Sequence, residues 1–350
     1  MKFFSILAFL IAPVSLFAQN GGIKSFAFLN LPVSARQASL GGNVLAIKDD
    51  DLNLAYLNPA LLSDTLHNQL TLNYINYFSD INFGYAGYAR HFDKIGTFSA
   101  GMHFLNYGKF KRADEVGELL GEFSAGEYAL NIGYGRPILD SSLSVGANWK
   151  FIYSNLDIAN SLATSLDLSA TYYNKKALFG ATFLIRNAGI QITKYNKDQP
   201  REKLPIEMQI GISKKLQKAP IRFSLVYENL ERFKLNYDTV VTKKAQQLGE
   251  SDDNKKKKDN RPRFGDQFMR HIVLGVEITP GKNFALRAGF NYQQRKELLI
   301  STKPGTIGFS WGFGFKVYKF RVSYARATYH AAGASNHFTI TTNLNAFGLN

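Results

Sequence analysis

The sequence predicts an all-β chain closing into a transmembrane barrel of about fourteen antiparallel strands. Three observations carry this. From about residue 68 onward, bulky apolar residues alternate with small or polar ones at the strand period of two. The bulky face is rich in Phe, Tyr and Trp while the other is often Gly, Ser or Asn, the inverse of a soluble sheet. The connections alternate between tight turns and longer loops. A soluble sandwich also alternates, but its core can hardly absorb large aromatics from every strand. The 28 Phe and 18 Tyr of this 350-residue chain, set against 29 Gly, therefore favour lipid as the partner of the bulky face.

Residues 1–18 read as a secretory signal peptide, with Lys2 before the apolar stretch from Phe3 to Phe17 and a cleavage point after Ala18. An uncleaved anchor is the rival reading. Residues 19–66 do not alternate and read as an N-terminal plug segment. A short helix pattern around Ser34 to Leu40 stops at Gly41-Gly42, and Asp49-Asp50-Asp51 precedes a second helical stretch from Leu52 to Ser63. The tri-aspartate is expected to cap that helix or to sit at the surface, with calcium the alternative, since no EF-hand spacing follows. Gly-rich inner faces leave room for a plug.

Residues 67–350 form the barrel. The expected strands lie near 68–78, 81–91, 95–106, 123–136, 141–154, 162–174, 177–189, 204–216, 221–230, 269–279, 283–294, 305–318, 320–330 and 336–344. The clearest places Ile307, Phe309, Trp311, Phe313, Phe315 and Val317 opposite Gly308, Ser310, Gly312, Gly314 and Lys316. Turns after even-numbered strands are tight, as at Asp93-Lys94. Connections after several odd-numbered strands are longer, near 107–122, 190–203, 231–268 and 295–304. Short turns face the periplasm in outer-membrane barrels, so both termini are expected to be periplasmic and the long loops extracellular.

The formal charge of +15 first suggests nucleic acid. It sits largely in loops, however, and behind a signal peptide, so a nucleic-acid partner is excluded. The basic loop 231–268 holds Lys243, Lys244, Lys255, Lys256, Lys257, Lys258, Arg261 and Arg263. It is either simply solvated or a surface for lipopolysaccharide or an acidic partner. The absence of cysteine excludes disulfides, thiolate metal sites and a cysteine nucleophile. No P-loop, HExxH or GxSxG pattern is present, and His67, His91, His103, His271, His330 and His337 are scattered. No catalytic site, metal or cofactor is expected, and the chain is not expected to be an enzyme.

The run from Phe28 to Gly42 (FLNLPVSARQASLGG), with Leu54 to Leu62 (LAYLNPALL), resembles the PorV/PorQ group of type IX secretion outer-membrane proteins of Bacteroidetes, and within it the PorQ family. The resemblance continues through Asn73 to Tyr77, Gly146 to Ser154 and Asn187 to Gly189, covering nearly the whole chain beyond the signal peptide. The motif residues are Ser34, Ala35, Arg36, Asn58, Pro59 and Ala60. The resemblance implies a FadL-like fourteen-stranded barrel with an N-terminal plug. It further implies a component of the attachment complex, beside PorU and PorV, that holds a PorZ-like lipopolysaccharide-binding partner so that secreted cargo can be attached to the cell surface. The alternative is a FadL-type transporter of hydrophobic small molecules. A general porin fits poorly with Gly- and Ser-rich inner faces.

Overall fold

In the computed structural model the described residues are 25–114, 116–138, 142–235, 264–298, 305–330 and 333–348. The expected signal peptide and all eight basic loop residues from Lys243 to Arg263 lie outside them. Fourteen strands follow one another around a closed, wholly antiparallel barrel. They are β1 (Gln69–Asn76), β2 (Asn82–Phe92), β3 (Gly96–Ala113), β4 (Leu119–Ile138), β5 (Leu143–Leu156), β6 (Ala159–Asn174) and β7 (Phe179–Gln191). The second half comprises β8 (Glu207–Lys215), β9 (Ile221–Tyr227), β10 (Ile272–Ile278), β11 (Phe284–Asn291), β12 (Phe309–Val317), β13 (Phe320–His330) and β14 (Gly333–Asn343). Closure joins β1 to β14, in register from Gln69 opposite Asn343 to Asn76 opposite Asn336.

The alternation in the sequence becomes an inside and an outside. Trp311 is 51% exposed and Phe309 53%, whereas Ser310 between them is 6% exposed. Leu72, Tyr74, Leu130, Trp149, Phe183, Phe223, Leu286, Phe338 and Ile340 also face outward around the circumference. Leaving a Leu or Phe in water forfeits about 1.5–3 kcal/mol. A dozen such side chains would then cost more than the ~5–15 kcal/mol that holds a whole domain together. The outer face belongs in hydrocarbon, and the closed sheet leaves no edge there.

Three details depart from the expected spans. β3 and β4 run beyond the neighbouring strands as a two-stranded ribbon, paired from Lys109 opposite Ser124 to Ala113 opposite Leu119, so the expected loop 107–122 shrinks to residues 114–118. The expected loop 231–268 ends in a helix, α3 (Phe264–Arg270), and the expected end of β11 is a helix, α4 (Tyr292–Leu298). Asn291 switches the chain there, because its Oδ1 accepts from the Gln294 N–H and starts the helix. Arg270 and Tyr292 both bond to Asp266, joining the two helices. Ile307 is buried rather than lipid-facing, since it precedes β12 and its carbonyl accepts from Arg295 of the α4 segment.

Residues 25–68 lie within the wall. They form α1 (Ala35–Ser39), α2 (Leu52–Leu57) and short 3-10 turns. Inward glycines let their backbone touch the sheet. A Cβ on Gly289 would stand 2.0 Å from the Gly41 nitrogen, one on Gly146 2.3 Å from the Pro59 carbonyl carbon, and one on Gly180 2.3 Å from the Ala46 oxygen. No side chain fits in such gaps. Ser25, the first described residue, and the last described turn lie at opposite ends of the barrel, and the termini for which a shared end is expected lie outside the described residues. The Ser25 N–H donates to Lys203 O in the β7–β8 loop, while Leu344 donates to Asn68 O beside the start of β1. The reason is that the segment traverses the whole lumen before β1 begins.

Gly289→Val should unseat this segment without preventing closure. Limited proteolysis should then cut within residues 25–68 while the barrel remains heat-modifiable on gels; an equally protected segment would refute the fit.

Candidate functional site

The inserted segment is held in three layers. At the end carrying the connections after odd strands, Phe26, Phe28 and Leu29 pack with Ile75, Phe83, Leu105 and Leu204. Tyr77, Tyr107 and Tyr195 flank this apolar layer. Arg186 of β7 donates to Leu29 O at 2.8 Å and anchors the turn that follows.

In the middle layer the residues of the quoted motifs take defined places. Ser34 caps α1 by accepting from the Gln37 N–H, and the Ala35 N–H donates to Thr339 Oγ1 at 2.9 Å. Asn58 Nδ2 donates to Leu45 O at 2.7 Å and to Thr171 Oγ1 at 2.9 Å, while its Oδ1 accepts from the Ala60 N–H. Ala60 N–H also reaches Ser169 Oγ at 2.9 Å, and Pro59 rests against Gly146. Four of these six residues thus bind the wall through polar groups, and Pro59 does so by contact. A second buried unit stands in the wall itself. Lys150 pairs with Asp167 at 2.6 Å and donates to Asn187 Oδ1 at 2.9 Å, with both charges fully buried. Asp167 also accepts from the Asn187 N–H at 2.7 Å. Here β6 and β7 slip register between Leu166 and Leu168, and Asn187 adopts φ 52°. The ion pair therefore fills and fixes a β-bulge.

The third layer, near the tight turns, is ionic. Arg36 projects from α1 and pairs with Asp49 at 2.7 Å, Asp51 at 3.1 Å and Glu277 of β10 at 3.0 Å. Arg222 of β9 reaches both Asp49 and Glu277 at 3.0 Å, and Arg287 of β11 reaches Glu277 at 2.7 Å. Asp50 turns the other way and pairs with Arg321 at 2.9 Å. Asp51 additionally caps α2 through the Asn53 N–H. The tri-aspartate is thus a cap and a set of ion pairs. Burial would raise the Asp49 carboxyl, but Arg36 and then Arg222 outweigh it and hold Asp49 below the ordinary carboxylate range. Burial likewise opposes the charge on Arg36, and its carboxylates overcome that and hold the proton well above the usual arginine range.

Beside this cluster a cavity of about 460 Å³ opens between the β10–β11 and β12–β13 turns. Its walls include Arg36, Lys215, Arg222, Lys282, Arg287, Lys316 and Arg321 against Asp49, Asp50, Asp51 and Glu277, seven cationic side chains to four anionic. Among the described residues no three histidines converge. His103 bonds to Tyr56 OH, His337 to Ser335 and His271 to backbone carbonyls, and His91 meets His67 at the barrel rim. The sequence reading missed the partners of Arg36. Glu277, with Arg222 and Arg287 beside it, is a charged residue at an inward position of a spanning strand, which is the signal that such residues are functional.

No protein-family model matches the chain, and no curated protein does. Among solved structures, the chain is similar to the "TodX monoaromatic hydrocarbon channel deltaS2 mutant", with TM-score 0.50 and 12% identity over 89% of this chain and 97% of that one. The fold is that of the FadL-like outer-membrane barrels. The toluene transporter TodX of P. putida aligns at TM-score 0.47 and 12% identity, covering 90% of this chain and 99% of that one. A Pseudomonas aeruginosa FadL homologue aligns at 0.44 and 11%, covering 89% and 98%.

Removing one member of a buried ion network costs about 3–5 kcal/mol because the remaining charges stay behind. Arg36→Ala should therefore loosen the segment by that order, read as faster deuterium uptake across residues 35–57, while Arg321→Ala at the more exposed pair should have little effect. The depressed Asp49 carboxyl contributes stability that is complete above its ordinary pKa of about 4 and is lost as pH falls through its lower folded value. Protection factors in the segment, that is uptake corrected for the intrinsic exchange rate at each pH, should be constant from neutrality down to about pH 4 and fall below it; a fall beginning near pH 6 would assign the titration to another group.

Proposed function

We propose that this protein is an outer-membrane conduit for hydrophobic small molecules, gated by movement of the segment 25–68 inside its lumen. One observation carries the reading. The segment is bound to the wall by discrete polar and ionic contacts on glycine seats, centred on Arg36, and its apolar side chains pack in six separate clusters rather than in one continuous core. A seat divided in this way can be released contact by contact. The aromatic layer around Phe28, Tyr107 and Tyr195 supplies an apolar mouth at one end. The structural relative that aligns at TM-score 0.50, a monoaromatic hydrocarbon channel, supports the same class of cargo. The tight turns then face the periplasm and the longer connections the exterior, as in other barrels of this kind.

A second reading has its own observation. The β3–β4 ribbon stands free beyond the rim and exposes Val116, Leu119 and Leu120 at its tip. With the PorQ resemblance, this supports a surface platform of the type IX secretion attachment complex, beside PorU and PorV. It would hold a PorZ-like partner that recognises lipopolysaccharide, with the basic residues Lys243 to Arg263 as further contacts. Both readings are non-enzymatic.

A tether separates them. The chain has no native cysteine, and Ala38 of α1 packs in one alanine cluster with Ala325 of β13. Oxidising the pair Ala38→Cys and Ala325→Cys should abolish toluene uptake by cells carrying the protein, and reduction should restore it. Uptake that ignores the tether, together with release of secreted cargo when the gene is deleted, would replace the conduit with the platform.

A further inference from the structure

The cavity near the tight turns holds a feature that the Arg36 ion network does not use. Arg287 is 8% exposed, and its Nε is engaged by Glu277 Oε2 at 2.7 Å, yet its Nη1 is buried with no hydrogen-bond partner among the described residues. A buried charged N–H without an acceptor is costly and is uncommon in a folded protein. The inner face of β12 offers that nitrogen no side chain to bond, because Gly314 stands opposite and a Cβ there would lie 2.9 Å from Nη1. Arg222 lines the same cavity, and Lys215, Lys282 and Lys316 contribute three further cations to it. With seven cationic and four anionic side chains around about 460 Å³, the space is electropositive even with every carboxylate ionised.

We propose that this vestibule is a binding site for a compact oxyanion, a carboxylate or a phosphate group, received by Arg287 Nη1 and drawn in by the three lysines. A planar guanidinium with a free N–H matches such an oxyanion in geometry as well as charge. Lysines grouped around a low-dielectric cleft focus the field that brings it there. A cation is disfavoured by the same charges, and a neutral apolar ligand would leave Nη1 unpaired. The site shares Glu277 with Arg36, so an anion held by Arg287 competes for the arginines that bind the segment to the wall. The inference stands on the cavity and does not require the conduit reading.

Isothermal titration of the full chain in neutral detergent, with inorganic phosphate and separately with octanoate, tests it. Saturable binding is expected, weakening with added sodium chloride. Arg287→Gln, and independently the triple replacement Lys215→Ala, Lys282→Ala and Lys316→Ala, should each weaken it about tenfold. The lysine variant leaves the Arg36 network untouched, so it decides the matter if Arg287→Gln disturbs folding on heat-modifiability gels. Equal affinity for the two anions marks a free oxyanion as the ligand, and tighter octanoate binding marks the head of an amphiphile. No saturable binding of either, or affinity unchanged in the lysine variant, overturns the site. Loss of tether-sensitive uptake with anion binding intact would refute the conduit alone.

Discussion

In hydrocarbon a backbone N–H or C=O has no water to turn to, and each one left unpaired costs several kcal/mol. The join of β1 to β14 answers that constraint, since it removes the last two sheet edges. Its consequence is a lumen. Eight strands enclose a space that wall side chains can just fill, and fourteen enclose more. The space must hold either water or protein, and here residues 25–68 occupy it. Their backbone approaches the sheet at Gly146, Gly180 and Gly289, where even a methyl group would collide. The inner glycines are thus a downstream effect of closure.

Filling a lumen whose wall is polar also fixes the chemistry of the filler. Inward strand positions carry Ser, Thr, Asn and charged groups, so the segment meets them with Ala35, Arg36, Asp49 and Asn58 between its small apolar clusters. A buried ion network of this kind adds little net stability over an apolar packing, because desolvation consumes most of the Coulomb gain. What it adds is definition: Arg36 and Asp49 have one place where Glu277 and Arg222 of the wall meet them, and a shift of a few ångströms breaks both pairs. A segment seated this way has a single register and a latch concentrated at one point. The apolar layer of Phe26, Phe28 and Leu29 at the opposite end is the most extensive of the apolar clusters along the segment.

Much of the barrel was legible because its signals are local. Period-two alternation, an aromatic face against a Gly-Ser-Asn face, and tight turns such as Tyr318-Lys319 each occupy a few consecutive residues, and they located all fourteen strands. The misses have local causes as well. Asn291 ends β11 by capping α4, a competition between strand and helix that turns on one side-chain hydrogen bond. The ribbon of β3 and β4 continues past the membrane, where alternation between lipid and lumen no longer operates, so residues 107–113 carried no pattern to read.

The candidate site was legible only in part. Ser34, Ala35, Arg36, Asn58, Pro59 and Ala60 stood out as a motif, but nothing near them in sequence says what they touch. Glu277 lies 241 positions from Arg36, and Thr171 lies 113 from Asn58. By itself the sequence determined the fold class, the strand count and which face meets lipid, because each follows from the chemistry of neighbouring residues along one strand. Only the tertiary structure decided that Ser25 and the last helical turn lie at opposite ends, that Arg36 and Glu277 form the latch, and that Arg287 opens onto a cationic vestibule. Those are relations between strands, set when closure brings distant inward positions around the same inserted segment.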